Sequence, residues 1–287
     1  MESSPSSISS ELREKIKIAK EVIKEFYETL DGKVYVSFSG GKDSTVLLHL
    51  VRSMYPEVRG MFLDTGLEYP EIRDFVKTFR DIDWMKPNTT FRESVEKNGI
   101  PYPSKEVSRY IHDIRYSTPK MKELRLGDGN YSLSKKWRRL VDSPFKFNHK
   151  CCDHLKKNPA DVYFRQNGLH AIIGTMQAES SLRKNAFIKT GFNNFTGRRK
   201  KSTPIALFTE EDIWAYIKHY KLPYASVYDK GLTRTGCMFC LFGIQQEQKK
   251  MKKNRLEMLK EIHPKIHDYV LNNLNFKPLL DAEKIRY

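Results

Sequence analysis

Apolar residues recur along the chain at two spacings, and the switch between them predicts the architecture. Leu12, Ile16, Ala19, Ile23, Phe26 and Leu30 step by four and three, which predicts a helix from Ser10 closed at Asp31-Gly32. Val34 to Phe38 is short, β-rich and bounded by turn residues, so it reads as a buried strand. Asp43 to Met54 places Val46, Leu47, Leu50 and Val51 on one helical face. Arg59 to Leu63 predicts a second strand, followed by Asp64-Thr65-Gly66 and a helix opened by Pro70. Asp83 to Met85 predicts a third strand, Pro159 opens another helix, and His170 to Ile173 is a strand ending in Gly174. Thr209-Glu210-Glu211-Asp212 has the form of a capping box starting a helix through Tyr220. This β–α alternation predicts an α/β fold, a parallel sheet with helices on both faces.

Two stretches break the rhythm. Residues 1–9 are Ser-rich and expected to fray. Residues 100–150 carry Pro101, Pro103, Pro119, Gly127, Gly129 and Pro144 and are expected to form an insertion or lid. From Gln245 onward the chain reads as helical and basic, with Met251, Leu256, Leu259 and Ile262 as its apolar side.

Charge narrows the partners. The formal net charge is +16, which suggests a polyanionic partner such as nucleic acid or a phosphate-rich small molecule. Basic clusters lie at Lys135, Lys136, Arg138 and Arg139, at Arg198 to Lys201, and at Lys249, Lys250, Lys252, Lys253 and Arg255. The plain alternative is a solvated lysine-rich surface, and charge alone does not separate a nucleotide from DNA or RNA. No apolar stretch approaches the ~18 residues of a membrane span, and the N-terminus has no apolar leader core. The expectation is a soluble, cytoplasmic protein with no membrane partner.

The stretch Val34–Leu50, VYVSFSGGKDSTVLLHL, carries the first candidate chemistry. A strand running into a helix leaves unpaired N–H groups at the turn, and the helix dipole adds partial positive charge there. Gly40 and Gly41 allow the backbone to curl and an anion to come close. Lys42 adds a full charge, and Ser39, Ser44 and Thr45 can donate hydroxyls to phosphate oxygens. The spacing is not that of a Walker A loop. A tight turn with a helix cap is the plain reading.

Two more strand ends are polar. Asp64, Thr65 and Glu68 follow the second strand, and Gly174, Glu179, Ser180, Arg183 and Lys184 follow a later one. In an open parallel sheet, ligands bind outside the carboxyl ends of the strands, so all three ends are expected to open on one crevice. The alternatives are a turn at Asp64-Thr65-Gly66 and an i,i+4 ion pair between Glu179 and Arg183. The four cysteines fall as Cys151-Cys152 and Cys237-x-x-Cys240. That grouping suggests a metal or cluster site in a reducing compartment more than two disulfides.

Ser39-Gly-Gly-Lys-Asp-Ser-Thr45 resembles the PP-loop of adenine-nucleotide α-hydrolases. Leu63-Asp-Thr-Gly-Leu-Glu-Tyr-Pro-Glu71 resembles the next motif of the phosphoadenosine-phosphosulfate (PAPS) reductase family, and STPIALFTEEDIWAYIKHYKLPYASVYDKG resembles that family's segment before its late cysteine pair. The resemblance runs from about Val34 to Gly243. It implies a Rossmann-like sheet over residues 32–243, containing the 100–150 insertion, with an N-terminal helix over 1–31 and a basic helical extension over 244–287. It also implies a site for ATP or a related adenine nucleotide. Backbone near Phe38 and Leu63, and Gly174, would meet the adenosine, and Ser39 to Thr45 the phosphates. Lys42, Arg183, Lys184 and Arg234 would neutralise developing charge, and Asp43 or Asp64 would hold Mg²⁺ if ATP is the substrate. Glu179 belongs to the same expected site.

The cysteine spacing resembles the iron–sulfur branch of the family, the adenylyl-sulfate reductases, in which such pairs hold one [4Fe–4S] cluster. A structural zinc and free redox thiols stay open as alternatives, although adjacent cysteines are awkward for one tetrahedral ion. Lys150, Arg234 and Thr235 flank the cysteines; His149 and His154 are not counted as ligands. One departure matters. Thiol-dependent reductases of the family use a further cysteine in the C-terminal tail, and this sequence has none after Cys240. If all four thiols bind the cluster, no nucleophile is left. The scaffold also resembles the ATP-pyrophosphatase component of DNA phosphorothioation systems and, more distantly, tRNA thiolases. There ATP adenylates an oxygen and sulfur comes by way of a cluster or a partner, such as a cysteine desulfurase. The first expectation is therefore ATP-dependent sulfur transfer to DNA or tRNA. The second is an adenylyl-sulfate or PAPS reductase with an unusual electron donor. The third is a nucleotide-sensing or DNA-binding module without catalysis.

Overall fold

The computed structural model describes residues 8–287, so the expected fraying of residues 1–7 lies outside the described residues. The chain divides into two compact units. The first comprises residues up to Asp64, Tyr69–Lys86 and Pro159–Thr235; the second comprises Thr65–Glu68, Pro87–Asn158 and Gly236–Tyr287.

The first unit is built on a six-stranded sheet. Its strands are β1 (Val34–Ser37), β2 (Gly60–Leu63), β3 (Ile82–Met85), β4 (His170–Ile173), β5 (Asn193–Asn194) and β6 (Lys201–Ser202), in the order β3-β2-β1-β4-β6-β5. All neighbours pair parallel except β5 with β6. The antiparallel β5 is the one departure from the expected parallel sheet. The order runs outward in both directions from β1 and β4, which stand in register from Val34 opposite His170 to Ser37 opposite Ile173. That is the topological switch point where open α/β sheets place their ligands.

The apolar stripes become buried faces. Helix α1 (Ser10–Thr29) starts at Ser9, whose hydroxyl accepts the Leu12 N–H at 3.1 Å, and buries Leu12, Ile16, Ala19, Ile23 and Phe26 as the spacing predicts. Helix α2 (Lys42–Arg52) follows β1 and buries Val46, Leu47, Leu50 and Val51. Helix α3 (Pro70–Lys77) has Pro70 in its first turn, where a missing N–H costs nothing. The helix Glu210–His219 carries the expected capping box between Thr209 and Asp212.

The second unit is helical. Residues 100–150 are more regular than their prolines suggest, with helices at Lys105–Tyr116 and Pro119–Leu126. Tyr110, Ile111 and Ile114 form the buried stripe of the first, a spacing the flanking prolines disguise. In the C-terminal segment Leu256 and Leu259 are buried as expected, but Met251 lies exposed in the break between helices Ile244–Lys250 and Arg255–Ile262. Some cations of the basic clusters serve the fold. Arg139 grips Glu283, which also accepts the Tyr102 hydroxyl at 2.6 Å, and Arg255 pairs with Glu247. Among the described residues, no helix is long and apolar enough to cross a membrane.

Candidate functional site

In the first unit, the chain leaves β1 through Phe38 and turns at Gly40, which sits at φ +71°. A Cβ on Gly40 would stand 2.6 Å from Val76 Cγ2 and 2.9 Å from Ile72 Cγ2, so packing and backbone both demand glycine there. Gly41 is the N-cap of α2. The Ser39 N–H donates to Ser44 Oγ at 3.1 Å, and the Ser44 and Thr45 hydroxyls donate back to the Gly41 carbonyl at 2.9 and 3.1 Å. These two hydroxyls, expected on phosphate, are thus placed on the loop's own backbone. The Lys42 N–H donates to the Tyr228 hydroxyl at 2.9 Å.

Lys42 is only 4% exposed. Its ammonium donates to the Thr233 carbonyl at 2.9 Å and lies 3.3 Å from Glu210 and 3.6 Å from Asp43 Oδ1. Burial pushes the Asp43 carboxyl above its ordinary value against the pull of Lys42, and its Oδ1 has no hydrogen-bond partner. Gly174, at the end of β4, packs where an added Cβ would touch the backbone of Asp43 and Ser44 at 3.5 Å. Arg183 is ion-paired with Glu179 at i,i+4. Burial, and then the charge of Arg234, lower its pKa, while Asp43 raises it; the two guanidiniums and the Asp43 carboxylate share one neighbourhood. So Lys42, Asp43, Gly174, Glu179, Arg183 and Arg234 converge on the start of α2. Lys184 is exposed on the helix Ser181–Thr190.

Other expected site residues lie elsewhere in the packing. The Phe38 ring is buried against Phe79, with centroids 4.9 Å apart, leaving its backbone as what it offers a ligand. Leu63 packs on the Tyr35, Met61 and Tyr163 cluster. Asp64 is buried and bound by Arg73 at 2.9 Å. Thr65 belongs to the second unit, where its N–H and hydroxyl both donate to Glu68, at 3.0 and 2.7 Å. Thr235, expected beside the cysteines, lies 3.2 Å from the Tyr228 hydroxyl.

The four cysteines belong to the second unit. Asn148 delivers the first pair. Its buried amide donates to Ser94 Oγ at 3.0 Å and its carbonyl accepts the Lys150 N–H at 2.9 Å, fixing the entry into the helix that begins at Cys151. That helix passes through a π-turn at Asp153–Lys157. The second pair sits on a turn closed by the Cys240 N–H on the Cys237 carbonyl at 3.1 Å. Met238 and Phe239, between the cysteines, are buried and anchor it, and Arg255 donates to the Cys240 carbonyl at 2.8 Å. All four thiols are free of disulfides and feel one another. Burial pushes Cys151 up strongly, with the other three adding to it; burial and then Cys237 push Cys240 to about 11.

Lys156 is the residue the sequence reading missed. It lies one helical turn beyond Cys152, and its side chain is solvent-accessible by area. Its pKa is nevertheless raised, chiefly by the charge of Cys237, with Glu68 and Cys152 adding to the effect. The i,i+4 spacing from Cys152 was the available signal. Lys150 is exposed, and His149 packs edge-on against His112 with ring centroids 4.7 Å apart. Among the described residues, no three His, Cys, Asp or Glu side chains close around one point as a single metal ion requires.

A sheet with its switch point at β1/β4, and a glycine turn feeding α2 there, defines an α/β protein of the PP-loop nucleotide-binding class. The phosphoadenosine phosphosulfate reductase domain matches residues 33–104 and 100–241, and the chain belongs to that family of enzymes. It is 26% identical over 238 residues to an adenosine 5'-phosphosulfate reductase of Staphylococcus epidermidis, covering 80% of this chain and 79% of that protein. It is 28% identical over 242 residues to an uncharacterized protein of Methanocaldococcus jannaschii, covering 80% of this chain but spanning only 47% of that longer protein. Among solved structures, it resembles the PAPS reductase from Candida auris in a phosphate complex, with TM-score 0.48 and 17% identity over 82% of this chain and 98% of that one. It also resembles the U34-tRNA thiolase NcsA from Methanococcus maripaludis with its [4Fe-4S] cluster, with TM-score 0.43 and 14% identity over 94% of this chain and 80% of that one.

Proposed function

We propose that the chain binds ATP at the β1–α2 loop and uses it to adenylylate an oxygen of a nucleic acid, DNA or tRNA, for replacement by sulfur. The observation that carries this reading is the convergence of Lys42, Arg183 and Arg234 with the Gly40-Gly41 turn at one helix N-terminus. Amides and cations of that kind stabilise a departing pyrophosphate. The acceptor oxygen forms a bond to the α-phosphorus as the bond to pyrophosphate breaks; a sulfur nucleophile from a separate donor then displaces AMP. Asp43, with a carboxylate oxygen lacking a hydrogen-bond partner, fits a Mg²⁺ ligand better than Asp64, which Arg73 engages.

The thiols support the sulfur half. A [4Fe–4S] cluster distributes four thiolates over four irons, so it accepts a more open set of sulfurs than one zinc ion does. Cys151, Cys152, Cys237 and Cys240 would hold it, and Lys156 and Arg255 would offset their charge. Such a cluster, when bound, supplies iron able to bind sulfur. Cys151, Cys152, Cys237 and Cys240 are the four cysteines of these 287 residues, and a cluster would engage all four.

The test is pyrophosphate release from ATP by anaerobically purified protein, with and without duplex DNA or tRNA. Release stimulated by one of them, and lowered at least tenfold in Lys42→Met, is the expected result. Sulfite from adenylyl-sulfate without pyrophosphate from ATP would instead establish a sulfonucleotide reductase, the reading that the name of the Staphylococcus relative favours.

A further inference from the structure

The segment Ser226–Thr235 crosses the start of α2 as a strap, and two hydrogen bonds tie it there to Lys42. The Tyr228 hydroxyl accepts the Lys42 N–H at 2.9 Å, the Thr233 carbonyl takes the Lys42 ammonium at 2.9 Å, and Thr235 Oγ1 lies 3.2 Å from the Tyr228 hydroxyl. A Cβ on Gly41 would come within 2.8 Å of Thr235 Oγ1 and 3.3 Å of Tyr228 Oη, so strap and loop are in close contact. The Tyr228 ring is buried and stands edge-on to Trp214, centroids 5.6 Å apart, which fixes where its hydroxyl points.

The Lys42 N–H belongs to the first turn of α2, one of the amides that an anion at this helix end has to reach. The phenol oxygen of Tyr228 already makes the hydrogen bond that a phosphate oxygen makes there. We propose that Tyr228 is an internal competitor for the anion: a ligand gains the Lys42 N–H only by displacing its hydroxyl, and Tyr228 thereby sets the affinity threshold of the loop. The inference rests on the nucleotide reading of this same loop. Displacement lowers the apparent affinity of every anion that uses this N–H by one common factor. An inorganic phosphate, with few other contacts, is then held out, while a nucleotide with further contacts still binds. Sequence motifs do not reveal this, because Tyr228 and Lys42 meet only through the fold.

The experiment is a calorimetric titration of the full chain with inorganic pyrophosphate, and in parallel with ATP. Tyr228→Phe keeps the ring against Trp214 and removes the competing oxygen. Its affinity for pyrophosphate is expected to rise about two- to tenfold, the worth of one hydrogen bond. Thr235→Val, which removes the hydroxyl beside Tyr228, is expected to give a smaller rise in the same direction. Equal or weaker binding by Tyr228→Phe at an unchanged melting temperature overturns the inference. If that variant melts lower, Thr235→Val decides, with the ring untouched. Wild type and Tyr228→Phe binding ATP and pyrophosphate alike removes only the threshold role. Neither ligand binding to either protein removes the nucleotide reading as well.

Discussion

The two lysines that serve the two candidate sites are placed in opposite ways. Lys42 is 4% exposed and held by a backbone carbonyl and two carboxylates. Lys156 is exposed, and the charge of Cys237 raises its pKa. In the first unit, positive charge is part of the scaffold, arranged before any ligand arrives, and removing it disturbs fold and binding together. In the second, the crowded groups are thiols, and burial with neighbouring thiols disfavours the charged form of Cys151, Cys152 and Cys240. Their chemistry awaits a partner that makes thiolates favourable, which a metal centre does.

The contrast can be broken experimentally. The largest effect is expected in the second unit. Cys151→Ser with Cys237→Ser should reduce iron and sulfide in anaerobically reconstituted protein to background, while pyrophosphate affinity stays within about twofold, below the worth of one hydrogen bond. Iron retained at wild-type level would end the cluster assignment. A smaller but still large effect is expected at the loop. Gly40→Ala places a Cβ 2.6 Å from Val76 Cγ2 at a positive φ, and denaturant unfolding should show a loss of about 2–4 kcal/mol. An unchanged midpoint would mean that the turn is not rigid.

The smallest effect is expected at Asp43. Its pKa is raised by burial, so the native state holds the proton more tightly than the unfolded chain. Stability from this group is therefore fully present below the unfolded carboxylate pKa and lost as pH rises through the folded one. Asp43→Asn, which stays neutral, should be the more stable protein at neutral pH, and its advantage should vanish in acid. An advantage independent of pH, measured by thermal unfolding across that range, would assign the gain to packing instead.

Much of the fold was legible because its signals are local. The α1 stripe, Pro70 at the start of α3, the Thr209 cap and the strand His170–Ile173 are each set by a few neighbouring residues. The glycine turn was legible for the same reason. What the sequence concealed depends on distant pairs: Tyr228 on Lys42, Arg73 on Asp64, Arg255 on the Cys240 carbonyl. The helix Lys105–Tyr116 was hidden differently, its stripe of Tyr110, Ile111 and Ile114 masked by prolines that lie outside it. Ser44 and Thr45 show the opposite case, where a suggestive pair of hydroxyls donates back to the Gly41 carbonyl of its own turn.

The Lys42 ammonium is received at position 233 by a peptide oxygen, not by a side chain. Every amino acid carries that oxygen. Among descendants of this sequence, position 233 can drift without loosening the lysine, whereas position 228 must keep an aromatic ring that ends in a hydroxyl.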